Sequence, residues 1–374
     1  MKYYLIAGEA SGDLHGSNLM KGLLREDPGA QFRVWGGDLM QTAGGTLVKH
    51  YRDLAFMGFW EVVQNLPTIL RNMRFCKADI LDFKPDVLIL IDYPGFNLRI
   101  AEWAAKQKVR VFYYISPQLW AWHASRVKII QSSVERLFTI LPFESGFYAK
   151  YDYEVSYVGH PLLDVVADFS PAPDFRRRNK LPDGPIVAFL PGSRKQEISR
   201  MLRVMLDAIS LIPEKYHFAI AGAPAIESSF YDSILQQHPQ DLSRRVSIVY
   251  QQTYNLLHES VAAAVTSGTA TLETALFGVP QVVCYRGNAL SFQIAKRLVK
   301  VPFISLVNLV AGKEVVRELI QHELSARAIA DTLLPLLESS SQRLQMEEDY
   351  RVLQEKLGGV GASGRAAKEM VRRL

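Results

Sequence analysis

Cysteine is nearly missing from this chain: Cys76 and Cys284 are the two in 374 residues. Two cysteines argue against a disulfide framework or a structural zinc site, and their scarcity fits a reducing cytosol. No Asp-x-Asp triplet, HExxH or GxSxG occurs. That leaves out the acidic metal clamp of many sugar-nucleotide enzymes, the zinc helix of metalloproteases and the serine elbow of hydrolases. No apolar run approaches the ~20 residues that cross a bilayer. The opening run, Tyr3 to Ala7, is too short for a signal peptide and gives way to Glu9 and Asp13. Repeats and low-complexity tracts are absent as well. Charge is close to balanced, 43 Lys and Arg against 38 Asp and Glu, net +5. Acidic residues are interspersed, which speaks against a nucleic-acid tail; the mild basic bias suits phosphorylated ligands or an anionic surface.

What is present, 48% hydrophobic and 22% charged residues, suffices for two real cores. Short β-branched and aromatic runs alternate with amphipathic segments. Tyr3–Ala7, Phe32–Trp35, Asp86–Ile91, Val109–Ile115 and Leu137–Leu141 read as strands in the first half. Ile186–Leu190, His217–Ala221, Val246–Tyr250, Ala262–Thr266 and Gln281–Tyr285 do so in the second. Continuous apolar strands separated by helices predict parallel sheets buried on both faces. The segment DFSPAPDFRRRNKLPDGP, rich in Pro and charge, separates the halves. The expected fold class is α/β, with two doubly wound Rossmann-like domains facing across a cleft. The expected division is 1–166, 167–345 and a helical tail 346–374 that packs back on the first domain.

Two stretches of the second half carry the chemistry. FLPGSRKQEI and SGTATLETALFGVPQVVCYR each read as a strand, a loop of small residues and a helix start. A helix start offers unpaired N–H groups and the positive end of the helix dipole, which suit a phosphate. Ser193 and Arg194 add a hydroxyl and a guanidinium, Gly268 and Thr269 open the second helix, and Glu273 lies where a carboxylate accepts from ribose hydroxyls. One such stretch would pass for an ordinary βα turn; the pair with Glu273 predicts a nucleoside-diphosphate site.

In the first half, GEASGDLHG spaces its glycines G-x3-G-x3-G, departing from the dinucleotide fingerprint and lacking a P-loop Lys. Its acids Glu9 and Asp13 would repel a pyrophosphate, so the loop is read as lining an acceptor or sugar pocket. Asp92, in IDYPGFN, ends a strongly apolar strand at the carboxyl edge of a sheet, where ligands bind and where apolar walls raise a carboxyl pKa toward that of a general base. An Asp capping the next helix would look the same. ISPQLWAWH offers tryptophans that stack on a sugar or pack in the core, and LPFE and VGHPLLD place Glu144 and His160 at strand ends. Phe56, Phe59, Trp60, Val63, Leu66 and Leu70 form an amphipathic stripe followed by Arg71, Arg74 and Lys77. Periodicity favours a core-facing helix; the aromatic crowding and the cations point to acyl chains or an interface.

GEASGD, the MG at Met57, IDYPGFN, ISPQLWAW, LPFE, VGHPLLD, LPGSR, SGTATLE and the YR at Tyr285 together resemble the lipid A disaccharide synthase family, in the family's order, from about Met1 to Glu323. The resemblance implies a GT-B fold and an inverting, metal-independent hexosyltransferase without cofactor. It implies transfer of 2,3-diacylglucosamine from UDP to 2,3-diacylglucosamine 1-phosphate, making the β-1′,6-linked lipid A disaccharide 1-phosphate of lipopolysaccharide and UDP. Asp92 would be the base. Ser193, Arg194, Gly268, Thr269, Glu273, Arg286 and Asn308 would hold the donor, and Glu9, Ser11, Asp13, Asn97, Gln118, Trp120 and His160 the acceptor sugar. Phe56, Met57, Phe59, Trp60, Val63, Leu66 and Leu70 would meet acyl chains or the membrane. The implied place is cytoplasmic, peripheral on the inner face of a Gram-negative inner membrane, with no nucleic-acid partner and a homodimer left open. Val307 stands where many members have Pro, and His123 where Arg is common. The alternatives are another UDP-N-acetylglucosamine enzyme of GT-B type, an epimerase or a peptidoglycan precursor glycosyltransferase, and a non-catalytic nucleotide-binding protein at a membrane surface.

Overall fold

The computed structural model describes residues 1–54, 66–122, 124–224, 226–239, 242, 244–288, 301–338 and 340–374. They divide into two compact units, Met1–Asp164 with Leu357–Leu374, and Val165–Lys356.

Unit 1 is built on seven strands: β1 (Lys2–Ala7), β2 (Gln31–Gly36), β3 (Thr46–His50), β4 (Val87–Ile91), β5 (Val111–Tyr114), β6 (Arg136–Thr139) and β7 (Ser156–Tyr157). They pair in the order β3-β2-β1-β4-β5-β6-β7, parallel throughout. Tyr3–Ala7 and Val87–Ile91 are wholly buried, as expected of central strands covered on both faces. The strand order reverses direction at β1 and β4, with Ala7 opposite Ile91. The loops after these two strands therefore leave the carboxyl edge side by side, where open α/β sheets bind ligands.

Unit 2 repeats the plan with β8 (Ile186–Leu190), β9 (His217–Gly222), β10 (Val246–Tyr250), β11 (Ser260–Thr266), β12 (Gln281–Tyr285) and β13 (Glu318–Ile320), in the order β10-β9-β8-β11-β12-β13. Side chains alternate between faces with the strand period of two. Val187 and Phe189 of β8 join Ala262 and Ala264 in one core, while Ile186, Ala188 and Leu190 join Ala263 and Val265 in the other. The reversal lies at β8 and β11, with Leu190 opposite Val265.

The last boundary differs from the sequence expectation. The helix Ser341–Lys356 belongs to unit 2 as a whole, because its Met346, Tyr350 and Leu353 are buried and Tyr350 Oη accepts from Gln281 Nε2 of β12 at 3.2 Å. The first cut falls at 164/165 rather than 166/167. The helix Ala362–Arg373 returns to unit 1 and lies against the helix Ala10–Glu26. The approach is close: a Cβ on Gly22 would come within 2.9 Å of the Ala367 methyl.

Candidate active site

In unit 1 the carboxyl edge of β4 is strained. Asp92 and Tyr93 hold φ of 44° and 50°, a left-handed conformation that non-glycine residues adopt at a cost of about 1–3 kcal/mol and that clusters at functional sites. Two side chains hold it in place: Asn97 Nδ2 and Tyr113 Oη donate to the Asp92 carbonyl at 2.8 and 2.5 Å. The Tyr93 ring lies so close over Gly8 that a Cβ there would sit 2.3 Å from it, which makes glycine necessary at the start of the first loop. The Asp92 carboxyl is half-buried. Desolvation first, and the neighbouring charge of Glu9 second, push its pKa up to about 7. Glu9 is brought here by the pairing of β1 with β4. One strand further, Ile115 has φ of 65°, an outlier for a β-branched residue. It leads into exposed Gln118 and half-buried Trp120, whose ring meets Phe143 edge-on at 4.9 Å.

In unit 2, β8 leads through Gly192 (φ +110°) into the helix Lys195–Ile209, and β11 leads through Gly268 into the helix Thr269–Leu276. The reversal places both helix starts at one point of the sheet edge. Ser193 and Arg194 are exposed there. The carboxylate of Glu197 accepts from the Ser193 N–H at 3.0 Å and orders the loop, much as in a capping box. Gly268 is extended, and a Cβ added to it would meet no atom within 4 Å. Glu273, half-buried one turn on, accepts from Tyr254 Oη at 2.9 Å, and desolvation raises its pKa.

A family model described as lipid-A-disaccharide synthetase matches residues 3–370. The lipid-A-disaccharide synthase of Syntrophus aciditrophicus is 42% identical, over 97% of this chain and 95% of that protein. That of Geobacter metallireducens is 39% identical over 97% and 94%. The chain belongs to the lipid-A-disaccharide synthetase family. It is a glycosyltransferase, a hexosyltransferase of lipid A disaccharide biosynthesis. Membership does not favour the alternative of an epimerase or a peptidoglycan precursor enzyme. Among solved structures, the S. aureus MnaA–UDP co-structure superposes with a TM-score of 0.71 at 14% identity, covering 100% of this chain and 96% of that one. The Neisseria meningitidis UDP-GlcNAc 2-epimerase bound to UDP-GlcNAc gives 0.66 at 14%, covering 100% and 99%. At such identities the likeness is one of fold, that of GT-B enzymes.

Not every residue that the sequence nominated for this family's site faces a ligand. Glu9 and Ser11 are half-buried at the start of the first helix. Asp13 is turned inward: its carboxylate accepts from the N–H groups of Gly37, Leu39 and Met40 at 2.7, 3.1 and 3.0 Å, capping the helix Asp38–Thr42. Asn97 is fully buried and works through the Asp92 carbonyl. His160 is 2% exposed, with Nδ1 accepting from the Leu162 N–H at 3.2 Å, so it cannot line a sugar pocket. Asn308 is fully buried. Its Nδ2 donates to the Val316 carbonyl and Glu318, and its Oδ1 accepts from the Val315 and Val316 N–H groups; no polar atom is left for a nucleotide. Arg286, half-buried, donates from Nε and Nη2 to the carbonyls of Gln321 and Leu324. In this structure Asp13, Asn97, His160 and Asn308 are buried and hold backbone groups, and half-buried Arg286 divides its guanidinium between backbone carbonyls and the surface. Phe56, Met57, Phe59, Trp60, Val63 and His123 lie outside the described residues. Leu66 and Leu70 stand on the helix Leu66–Phe83, 46% and 44% exposed, so at these two positions the core-facing reading fails. Val307 is the second residue of the helix Leu306–Ala311, a first-turn position that tolerates Pro as well. Tyr254 escaped the sequence reading, since an aromatic 19 residues before Glu273 carries no signal of contact.

Proposed function

We propose that this glycosyltransferase moves 2,3-diacylglucosamine from its UDP donor to the 6-hydroxyl of 2,3-diacylglucosamine 1-phosphate in one inverting displacement. The Asp92 carboxylate takes the hydroxyl proton as the oxygen bonds to the anomeric carbon. The bond to the diphosphate breaks, and its electron pair leaves on UDP. The observation that carries this reading is a half-buried carboxyl raised to about 7 at a strained strand end, poised to accept a proton at neutral pH. Arg194, Ser193 and the helix starts at Lys195 and Thr269 answer the charge developing on UDP, and Glu273 takes the ribose. In a sequence without Asp-x-Asp, these groups stand in for a metal clamp. The test is a product assay with the two acylated substrates, run with and without EDTA. Disaccharide 1-phosphate in both supports the reading; activity on unacylated UDP-N-acetylglucosamine alone overturns it.

Arg194→Ala should weaken UDP binding by roughly 1.5–3 kcal/mol, the range for a charged hydrogen bond, read by calorimetric titration. Superimposable titrations of variant and parent would remove Arg194 from the site.

The protein meets the cytoplasmic leaflet of the inner membrane peripherally in this reading. No described helix is long and apolar enough to cross a bilayer. Leu66, Leu70 and Phe75 are 46%, 44% and 48% exposed beside exposed Arg71 and Arg74, and apolar anchors flanked by cations suit an anionic interface. Leu66→Ser with Leu70→Ser should lower sedimentation with anionic vesicles and leave the melting temperature nearly unchanged, because exposed positions contribute within about 0.5 kcal/mol. Unchanged sedimentation would move the contact elsewhere.

A further inference from the structure

We propose that Tyr254 is a positioning residue of the nucleotide site: its hydroxyl fixes the Glu273 carboxylate in the orientation that receives the ribose. The inference rests on the reading of Glu273 as the ribose carboxylate, and deepens it. Tyr254 is the second residue of the helix Thr253–His258, which follows β10. Its ring stacks on Phe277, centroids 5.2 Å apart and planes 25° from parallel. Phe169 closes the group edge-on, at 6.3 Å from Tyr254 and 5.1 Å from Phe277. Phe277, the C-cap of the helix Thr269–Leu276, lies four residues beyond Glu273, about one turn further along. A ring stacked on Phe277 therefore aims its hydroxyl at Glu273, and the hydrogen bond is 2.9 Å. Among the described residues this is the single hydrogen bond to that carboxylate. It engages Oε1, and no described residue bonds Oε2.

The hydroxyl also acts on charge. Desolvation raises the Glu273 pKa and the Tyr254 hydrogen bond opposes the rise. Burial, with the neighbouring Glu273 charge, holds the Tyr254 hydroxyl far above its ordinary value, so it stays a donor at every assay pH. Among the described residues no other titratable group acts on Glu273; His258, on the same helix, faces the Phe169 ring at 5.9 Å. Without the hydroxyl a half-buried carboxylate loses the bond that favours its charged form, and a protonated carboxyl is the poorer acceptor for ribose hydroxyls.

The experiment compares UDP with 2′-deoxy-UDP on parent, Tyr254→Phe and Glu273→Gln, with melting temperatures alongside. Tyr254→Phe keeps the three-ring group. It should bind UDP about 10-fold more weakly, the scale of one hydrogen bond to a charged group, and lose most of the preference over the deoxy ligand. Its donor KM should rise with kcat kept, and the pH range over which its preference for UDP over the deoxy ligand develops should lie above the parent's, because the bond that favours the charged carboxylate is gone. Glu273→Gln should lose the preference at every pH. If Glu273→Gln keeps the parent's preference, the ribose reading itself fails. If Glu273→Gln loses it while Tyr254→Phe keeps the parent's preference and pH profile, the carboxylate is right and the role of Tyr254 is overturned. A Tyr254→Phe that melts earlier yet retains both is a packing residue only, and overturns the proposal equally.

Discussion

Asp92→Asn should lower kcat by about 10²–10⁴-fold, the usual worth of a general base, with UDP affinity nearly unchanged. The substitution keeps the shape and the backbone clamp, since Asn97 and Tyr113 hold the residue 92 carbonyl rather than its side chain. It removes only the capacity to take a proton. The pH profile gives a second handle. A carboxyl pushed up to about 7 is half protonated near neutrality, so kcat/KM of the parent should fall tenfold per unit as pH drops below 7. Glu9 is the second cause of that rise, so Glu9→Gln should carry the limb to lower pH. Near-normal turnover in Asp92→Asn would sink the assignment, and a profile flat from pH 5 to 8 would show that the group titrating is not this one.

The central strands were legible because burial on both faces leaves unbroken apolar runs; all ten that the sequence marks are strands of the structure. The three it missed are β3, β7 and β13, all at or next to a sheet edge. β7 and β13 have two and three residues, and β3 is nowhere fully buried, so neither length nor alternation announces them. The loops of the site were legible one at a time, through glycine and a terminal charge. Their pairing was not. Glu9 acts on Asp92, and the loops that hold Arg194 and Gly268 follow paired strands, through sheet orders that a linear pattern does not contain. The corrections share one cause. Asp13, Asn97, Asn308, His160 and Arg286 are polar residues beside ligand-like loops, and a side chain that caps a helix or holds a carbonyl is spelled like one that binds a sugar. Burial sets Asp13, Asn97, Asn308 and His160 apart; Arg286, half-buried like Asp92 and Glu273, differs only in its bonds to the Gln321 and Leu324 carbonyls.

Unit 1 should be acid-labile at its joint with the C-terminal helix. His15, on the helix Ala10–Glu26, and His160, just after β7, are 6% and 2% exposed. Desolvation pushes His15 down to about 4, against a smaller upward pull from Asp164. It pushes His160 down to about 3, helped by the charge of His15. Both are neutral when folded. The unfolded chain, with ordinary histidines near 6.5, takes up protons first, so stability is fully present above pH 6.5 and falls as pH drops through 6.5 toward 4 and then 3. At pH 5 linkage makes this about 2 kcal/mol for each histidine, large against a typical total of 5–15 kcal/mol. The place matters as much as the size. The His160 N–H donates to the Leu357 carbonyl at 3.0 Å, and the Asp164 carboxylate caps the helix Ala362–Arg373 through the N–H groups of Gly361, Ala362 and Ser363 at 2.5, 3.2 and 3.0 Å. Arg365 adds bonds to the carbonyls of Val158, Gly358 and Val360. Charging a buried imidazole here works against the segment that completes the unit. Among the described residues His15 Nδ1 has no hydrogen-bond partner, so His15→Leu forfeits little at pH 7.5 and removes one of the two protonation sites. Its acid transition, followed by tryptophan fluorescence and circular dichroism from pH 7.5 to 4, should lie at lower pH than the parent's, with nearly equal urea midpoints at pH 7.5. Coincident acid transitions would show that His15 protonation does not drive the loss.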